Sequence, residues 1–217
     1  EDKKKDAELV QAAGAVAAQE AEAGKVAGEV AGKLEAAGLV EEAKQVGEMQ
    51  DLLESGEASG EDLQKAAQDA HDLAAKLRAE GKEEEALEVE KLAALLDAAA
   101  EGKLGLEAKE AEKEAHKDLQ EAAGLGHEVA DKLRADGHEE LADMVDGVTK
   151  EVEHALQGEM DVEEVEHALA DARAAAAKLR AEGHTEEADK MDAMADKLEA
   201  ALDAHQEAED KKKEAEL

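Results

Sequence analysis

The sequence predicts an all-α protein of eight antiparallel helices, arranged as four helix–turn–helix hairpins in a bundle with close, Ala- and Gly-rich packing. The first observation behind this prediction is a phrase that recurs four times, as KLEAAGLVEEA at 33–43, KLRAEGKEEEA at 76–86, KLRADGHEELA at 132–142 and KLRAEGHTEEA at 178–188. The second is an apolar period of about 3.6 residues between these phrases. The third is the set of helix caps, which together with the unbroken period predicts a mostly helical chain.

Each copy of the phrase combines a helix end with the start of the next helix. A Lys-Leu pair precedes a glycine, and two or three acidic residues follow it. The helix dipole favours cations near the C-terminus and anions near the N-terminus, and glycine readily adopts the left-handed conformation that caps a helix. The predicted left-handed caps are Gly38, Gly81, Gly137 and Gly183.

The connections between successive hairpins are more varied than the turns inside them. They read ESGEASGED at 54–62, EGKLG at 101–105 and QGEMD at 157–161. The resulting eight predicted helices cover 3–37, 39–55, 60–80, 82–101, 106–136, 138–157, 161–182 and 184–215.

Two of these connections carry helix-start signals and the third does not. Ser59 and Asp161 are predicted N-caps, and the acids three residues later, Asp62 and Glu164, resemble capping boxes. The segment EGKLG contains two glycines and no cap. We therefore place a boundary between two halves there, giving domains 1–104 and 105–217 unless the halves form one continuous domain.

The apolar residues of each predicted helix form a stripe along one face. We expect stripes of small residues on some helices to pack against stripes of large residues on others. The stripes of the third and fifth helices are thin in the middle, where alanine or glycine lies, whereas the sixth and eighth helices supply valine, leucine and methionine. Large residues against small ones allow helices to interlock at short distance. The predicted core sets are Leu63, Ala66, Ala67, Ala70, Leu73, Ala74 and Leu77; Leu119, Ala122, Ala123, Gly126, Val129, Ala130 and Leu133; Val145, Val148 and Val152; and Met191, Met194, Leu198 and Leu202.

Glycines inside the predicted helices need an explanation, because each costs about 1 kcal/mol relative to alanine. We interpret them as points of close contact between helices, with Gly28 and Gly126 where two backbones nearly touch. The alternative is a cavity for a flat ligand. The set is Gly14, Gly24, Gly28, Gly32, Gly47, Gly124, Gly126 and Gly147.

Charge and composition exclude several functional classes. The net charge of −34 and pI near 4.4 argue against nucleic acid or an anionic membrane as a partner. Without cysteine, and without a phosphate-binding loop, a zinc-protease motif or a calcium loop, the sequence predicts no enzyme. We expect a soluble protein with neither a signal peptide nor a membrane-spanning segment, which requires no partner but could self-associate.

Two identical EVEHAL strings are the strongest metal-site signal in the sequence. They give Glu-x-x-His as Glu151 with His154 and Glu164 with His167. This spacing on two helices is the ligand pattern of di-iron and di-manganese carboxylate bundles. At about 100° per residue, however, His154 and His167 lie opposite the apolar faces of their helices. The sequence therefore predicts no metal, and these four residues are the alternative ligand set.

Five further residues are candidates for binding a cofactor, although no cofactor is predicted. His71, His116 and His127 lie at the edges of their apolar stripes, and His205 continues the methionine and leucine stripe of the last helix. Glu20 is central on the apolar face of the first helix. A buried carboxylate there would be neutralised, paired or metal-bound, whereas an uncovered face would need no explanation.

The sequence is similar in one segment to a natural family and over its whole length to one class of protein. GKEEEALEVEKLAALLD at 81–97 resembles the second helix of a tetratricopeptide repeat, which implies a hairpin repeat that binds a peptide, here a basic one. The recurring phrase, however, is spaced by 43, 56 and 46 residues, whereas that family repeats at about 34.

The whole chain resembles computationally designed helical bundles in its caps and its Glu-, Lys- and Ala-rich surface. That resemblance implies a structural scaffold without a natural biochemical function, and a metal- or cofactor-binding bundle is the other alternative.

Overall fold

The computed structural model describes residues 2–157 and 160–216, with side chains from Ala7 onwards. Over these residues the protein is entirely α-helical, without strands, which confirms the predicted fold class. The described part contains seven helices: α1 (Asp2–Ala36), α2 (Val40–Ser55), α3 (Gly60–Ala79), α4 (Glu83–Ala135), α5 (Glu139–Ala155), α6 (Val162–Glu182) and α7 (Thr185–Ala215).

The prediction of eight helices is wrong because the segment EGKLG at 101–105 is not a turn. Gly102 and Gly105 keep right-handed helical backbones, and α4 continues through them for 53 residues in all. Leu104 is fully buried, and the helix carries it into the core. The gain from this burial, about 1.5–3 kcal/mol, is of the same size as the cost of two helical glycines. The missing N-cap at this segment, noted above, was the signal that no helix starts there.

The four predicted cap glycines are all left-handed, with φ between 79° and 93°. In each turn the residue after the glycine donates its backbone N–H to the carbonyl of the leucine of the Lys-Leu pair, as Lys82 does to Leu77 at 2.9 Å. This is the six-to-one hydrogen bond of the Schellman motif. The same geometry in all four copies confirms that the repeated phrase is a turn. A fifth left-handed glycine, Gly56, ends α2 and was not predicted.

Both predicted N-caps are present. The Ser59 hydroxyl accepts the N–H of Asp62, and the Asp62 carboxylate accepts the N–H of Ser59, which completes a capping box. Asp161 accepts the N–H groups of Glu163 and Glu164 at the start of α6. Gly158 and Glu159, from the preceding predicted turn, lie outside the described residues.

The helices form two compact units, Glu1–Lys109 with Lys211–Leu217, and Glu110–Asp210. The first contains α1, α2, α3 and the N-terminal half of α4, and the second contains the rest of α4, α5, α6 and most of α7. Each unit has its own apolar core. The proposed division into folding domains 1–104 and 105–217 stays a prediction.

The predicted core sets are buried, with Leu202 alone only half-buried. The predicted close contact at the glycines inside helices is present at only some of the eight positions. A β-carbon at Gly126 would clash with the Thr149 side chain, and one at Gly28 would press on the Gln50 amide at 3.1 Å. These neighbours are side chains and not the helix backbone we expected. Close contact is wrong for five glycines, since nothing lies within 4 Å of a β-carbon built at Gly14, Gly32, Gly47, Gly124 or Gly147.

Candidate functional site

The two Glu-x-x-His strings meet across the neighbouring helices α5 and α6. Nδ1 of His154 lies 2.8 Å from Oε1 of Glu164, and Nδ1 of His167 lies 3.1 Å from Oε2 of Glu151. Each histidine thus pairs with the glutamate of the other string. The two histidine side chains are 73% and 66% exposed, which confirms that both rings face solvent.

Asp171 joins one of these two pairs. Asp171 follows His167 by one turn of α6, and its Oδ2 lies 3.8 Å from Nδ1 of His167. Ligand atoms of Glu151, His167 and Asp171 all lie within 4.8 Å of one another. Asp171 is not among the ligands predicted from the sequence, although its spacing of four residues from His167 places both on one helix face. The arrangement offers one imidazole nitrogen and two carboxylates.

The acidic partners raise the pKa of both histidines on this face. The hydrogen bond to Glu164, followed by its charge, raises the pKa of His154 above its ordinary value of 6.5. Glu151 does the same for His167, with a further contribution from the charge of Asp171. Both imidazoles are therefore protonated over a wider pH range than free histidine.

Two other candidate histidines take part in pairs between the helices of a hairpin. Nε2 of His71 lies 2.9 Å from Oδ2 of Asp97, and Nε2 of His127 lies 2.9 Å from Oε1 of Glu153. Both side chains are about half exposed. Each pair therefore joins the two helices of a hairpin at the protein surface.

Glu20 is covered, and it is paired. Only 12% of its side chain is exposed, and its Oε1 lies 3.5 Å from Nζ of Lys103 on α4. Lys103 reaches this position because α4 continues through the segment that was predicted to be a turn. Oε1 of Glu20 is buried and makes no hydrogen bond, so its contact with Lys103 is an ion pair that leaves this atom without a hydrogen-bond donor.

The remaining two candidates, His116 and His205, are half-buried on α4 and α7. Glu20 and His71 belong to the first unit, and His116, His127 and His205 belong to the second. Two histidines outside the candidate set, His138 and His184, make an edge-to-face contact with ring centroids 4.3 Å apart. They follow the cap glycines of two different turns.

A surface groove between α2 and α3 is the feature most relevant to peptide binding. Its volume is about 520 Å³, and its apolar floor includes Met49, Leu52 and Leu73. Two of its charged side chains have local partners: the Asp62 carboxylate accepts the N–H of Ser59, and Lys76 donates to Glu42 at 2.9 Å. The groove therefore combines a modest apolar strip with acidic side chains, among them Glu48, Asp69 and Asp72.

Comparison with known proteins adds no relative. No protein-family model, curated protein or solved structure matches this chain. Within the described residues, none of the helices has the length and apolar character needed to cross a membrane.

Proposed function

We propose that the chain is a designed structural scaffold, a helical bundle whose role is to maintain its own fold, and that it has no natural biochemical function. The observation that supports this best is a polar pair repeated at the same place in three hairpins. His71 with Asp97, His127 with Glu153, and Arg173 with Glu199 are each separated by 26 residues.

The third pair supports a structural role for this position. Nη2 of Arg173 lies 2.7 Å from Oε2 of Glu199. A guanidinium is always protonated in proteins, so it neither ligates metals nor moves protons. Because arginine occupies the position of His71 and His127, the shared role that accounts for all three is an ion pair or hydrogen bond between the two helices of a hairpin.

A second set of pairs lies closer to the turns and follows the same rule. Arg78 with Glu90, Arg134 with Asp146, and Arg180 with Asp192 are each separated by 12 residues. The first hairpin has Gly28 at the position equivalent to His71, ten residues before the cap glycine. The Gln50 side chain of α2 lies beside this glycine and donates to Glu54 on the same helix at 2.6 Å. The polar pairs between helices thus form a regular pattern around three of the four turns.

The proposal is tested by exchanging the residues at this position. We expect His71→Arg and His127→Arg to leave the free energy of unfolding within about 0.5 kcal/mol of the parent, since exposed pairs of this kind contribute little. Arg173→His is the matched reverse exchange. Denaturation followed by circular dichroism measures all three variants.

Elemental analysis of the purified parent and variants tests the rival class directly. A metal or cofactor bound stoichiometrically by the parent and lost in His71→Arg or His127→Arg would refute the scaffold proposal. A loss of stability above about 2 kcal/mol in either variant would also contradict it, because a surface pair cannot account for a change of that size.

A further inference from the structure

We propose that Glu151, His167 and Asp171 form a binding site for a divalent transition-metal ion, with Zn²⁺ as the representative, linking α5 to α6. This site goes beyond the proposed scaffold role, which requires no ligand. It also differs from the di-metal pattern of the sequence, because it takes one residue from each EVEHAL string and adds Asp171.

The distances between ligand atoms suit a zinc site. Zinc bonds of 2.0–2.2 Å in tetrahedral geometry place neighbouring ligand atoms about 3.3–3.6 Å apart. Nδ1 of His167 lies 3.1 Å from Oε2 of Glu151 and 3.8 Å from Oδ2 of Asp171. The Glu151 and Asp171 oxygens lie within 4.8 Å of each other, so zinc binding requires side-chain rotations that bring this separation to about 3.3–3.6 Å.

The chemistry of the donors selects the class of ion. One imidazole nitrogen with two carboxylates suits zinc, copper or nickel, whereas calcium and magnesium prefer oxygen ligands alone. Because His167 is 66% exposed and Asp171 is 49% exposed, water can complete the coordination sphere. The two carboxylates, together with the net charge of −34, attract a dication to this face.

A neighbouring pair on the same two helices provides a natural comparison. Nδ1 of His154 lies 2.8 Å and 2.9 Å from the two oxygens of Glu164, so this ring is already matched to a single carboxylate. Within the described residues, His154 and Glu164 do not belong to a group of three ligands within 4.8 Å. The His154 pair resembles a structural ion pair, and His167 has an additional carboxylate that such a pair does not need.

The test is a zinc titration of the full chain, followed by thermal melting with circular dichroism and by calorimetry. We expect a saturable rise in melting temperature at one equivalent of zinc, and no comparable rise with magnesium. His167→Arg keeps a cation beside Glu151 but cannot ligate a metal, so it should melt like the parent without zinc and lose the zinc-dependent rise.

Two further variants separate this site from its neighbours. Asp171→Asn should weaken zinc binding by about tenfold or more, since even outer partners of metal ligands contribute 10–100-fold. His154→Arg is the matched control and should keep the full zinc response. The proposal is overturned if His167→Arg retains the response, or if magnesium reproduces it as general screening would. Loss of the response in His184→Gln, with His167→Arg unaffected, would assign the zinc to the His138–His184 ring pair and would equally overturn it.

Discussion

Replacing Gly126 by alanine should destabilise the protein, although alanine is the better helix former. Gly126 is buried on α4, and a β-carbon there would overlap Oγ1 of Thr149 on α5. Thr149 is only 1% exposed, and its hydroxyl donates to the carbonyl of Val145 at 2.9 Å. A rotation of Thr149 that moves Oγ1 away shifts the hydroxyl from its hydrogen bond to Val145, and Cβ stays in a tight contact of 3.2 Å with the added carbon.

The expected magnitude follows from three contributions. Helix propensity favours alanine by about 1 kcal/mol. Overpacking in a well-packed core costs about 1–3 kcal/mol, and a displaced Thr149 hydroxyl that loses its partner costs about 1–3 kcal/mol more. Since relaxation avoids part of these costs, we expect Gly126→Ala to lower the free energy of unfolding by about 1–2 kcal/mol.

Gly124 provides the matched control two residues away on the same helix. It is exposed, and nothing lies within 4 Å of a β-carbon built on it. Gly124→Ala should therefore stabilise the protein by about 1 kcal/mol. Urea denaturation followed by far-UV circular dichroism measures both changes, because the chain has no tryptophan or tyrosine for fluorescence.

A double-mutant cycle identifies the cause of the Gly126 effect. Thr149→Ala removes both Oγ1 and Cγ2, so Gly126→Ala in that background should become neutral or stabilising. If Gly126→Ala stabilises the parent as much as Gly124→Ala does, the close contact with Thr149 does not limit packing and the reasoning above is refuted.

Two further predictions concern charge. His154 and His167 have pKa values raised above the ordinary 6.5, so their contributions to stability are complete below about pH 6.5 and are lost as pH rises through the higher folded-state pKa values. The melting temperature should therefore decrease over that range, and less so in the His154→Arg/His167→Arg double variant; equal decreases in both proteins would contradict this assignment. With a net charge of −34, raising the salt concentration to about 0.5 M should increase the melting temperature by screening repulsion. A flat or falling melting temperature would show that the ion pairs outweigh the repulsion.

The turns and core were predictable because their signals are local. A left-handed glycine cap, the acids that follow it and an apolar period each depend on residues within a few positions, and the Ser59 cap is of the same kind. The connection at 101–105 was not predictable from its glycines alone. Its conformation depends on Leu104, which packs against Gly60 at the start of α3, far away in sequence.

The polar pairs were harder to predict because they depend on which helix faces which. The sequence indicates that His154 and His167 face outwards. Each histidine pairs with the glutamate of the other string because α5 packs antiparallel to α6, and this pairing is not visible in the sequence. Two ion pairs with nearly buried acids also went unpredicted: Lys197 with Asp118, and Lys132 with Glu187. In each, the partners lie on α4 and α7, more than fifty residues apart.

The repeated pairs around the turns have a consequence for how the helices select their partners. Because the spacings of 12 and 26 residues recur in three hairpins, these pairs favour the correct register within any hairpin but do not distinguish one hairpin from another. Discrimination against wrong helix partners must then come from the cores, where alanine-rich and methionine- or valine-rich faces differ in size. A substitution that evens out these sizes would preserve every surface pair and still weaken the preference for a single arrangement of helices.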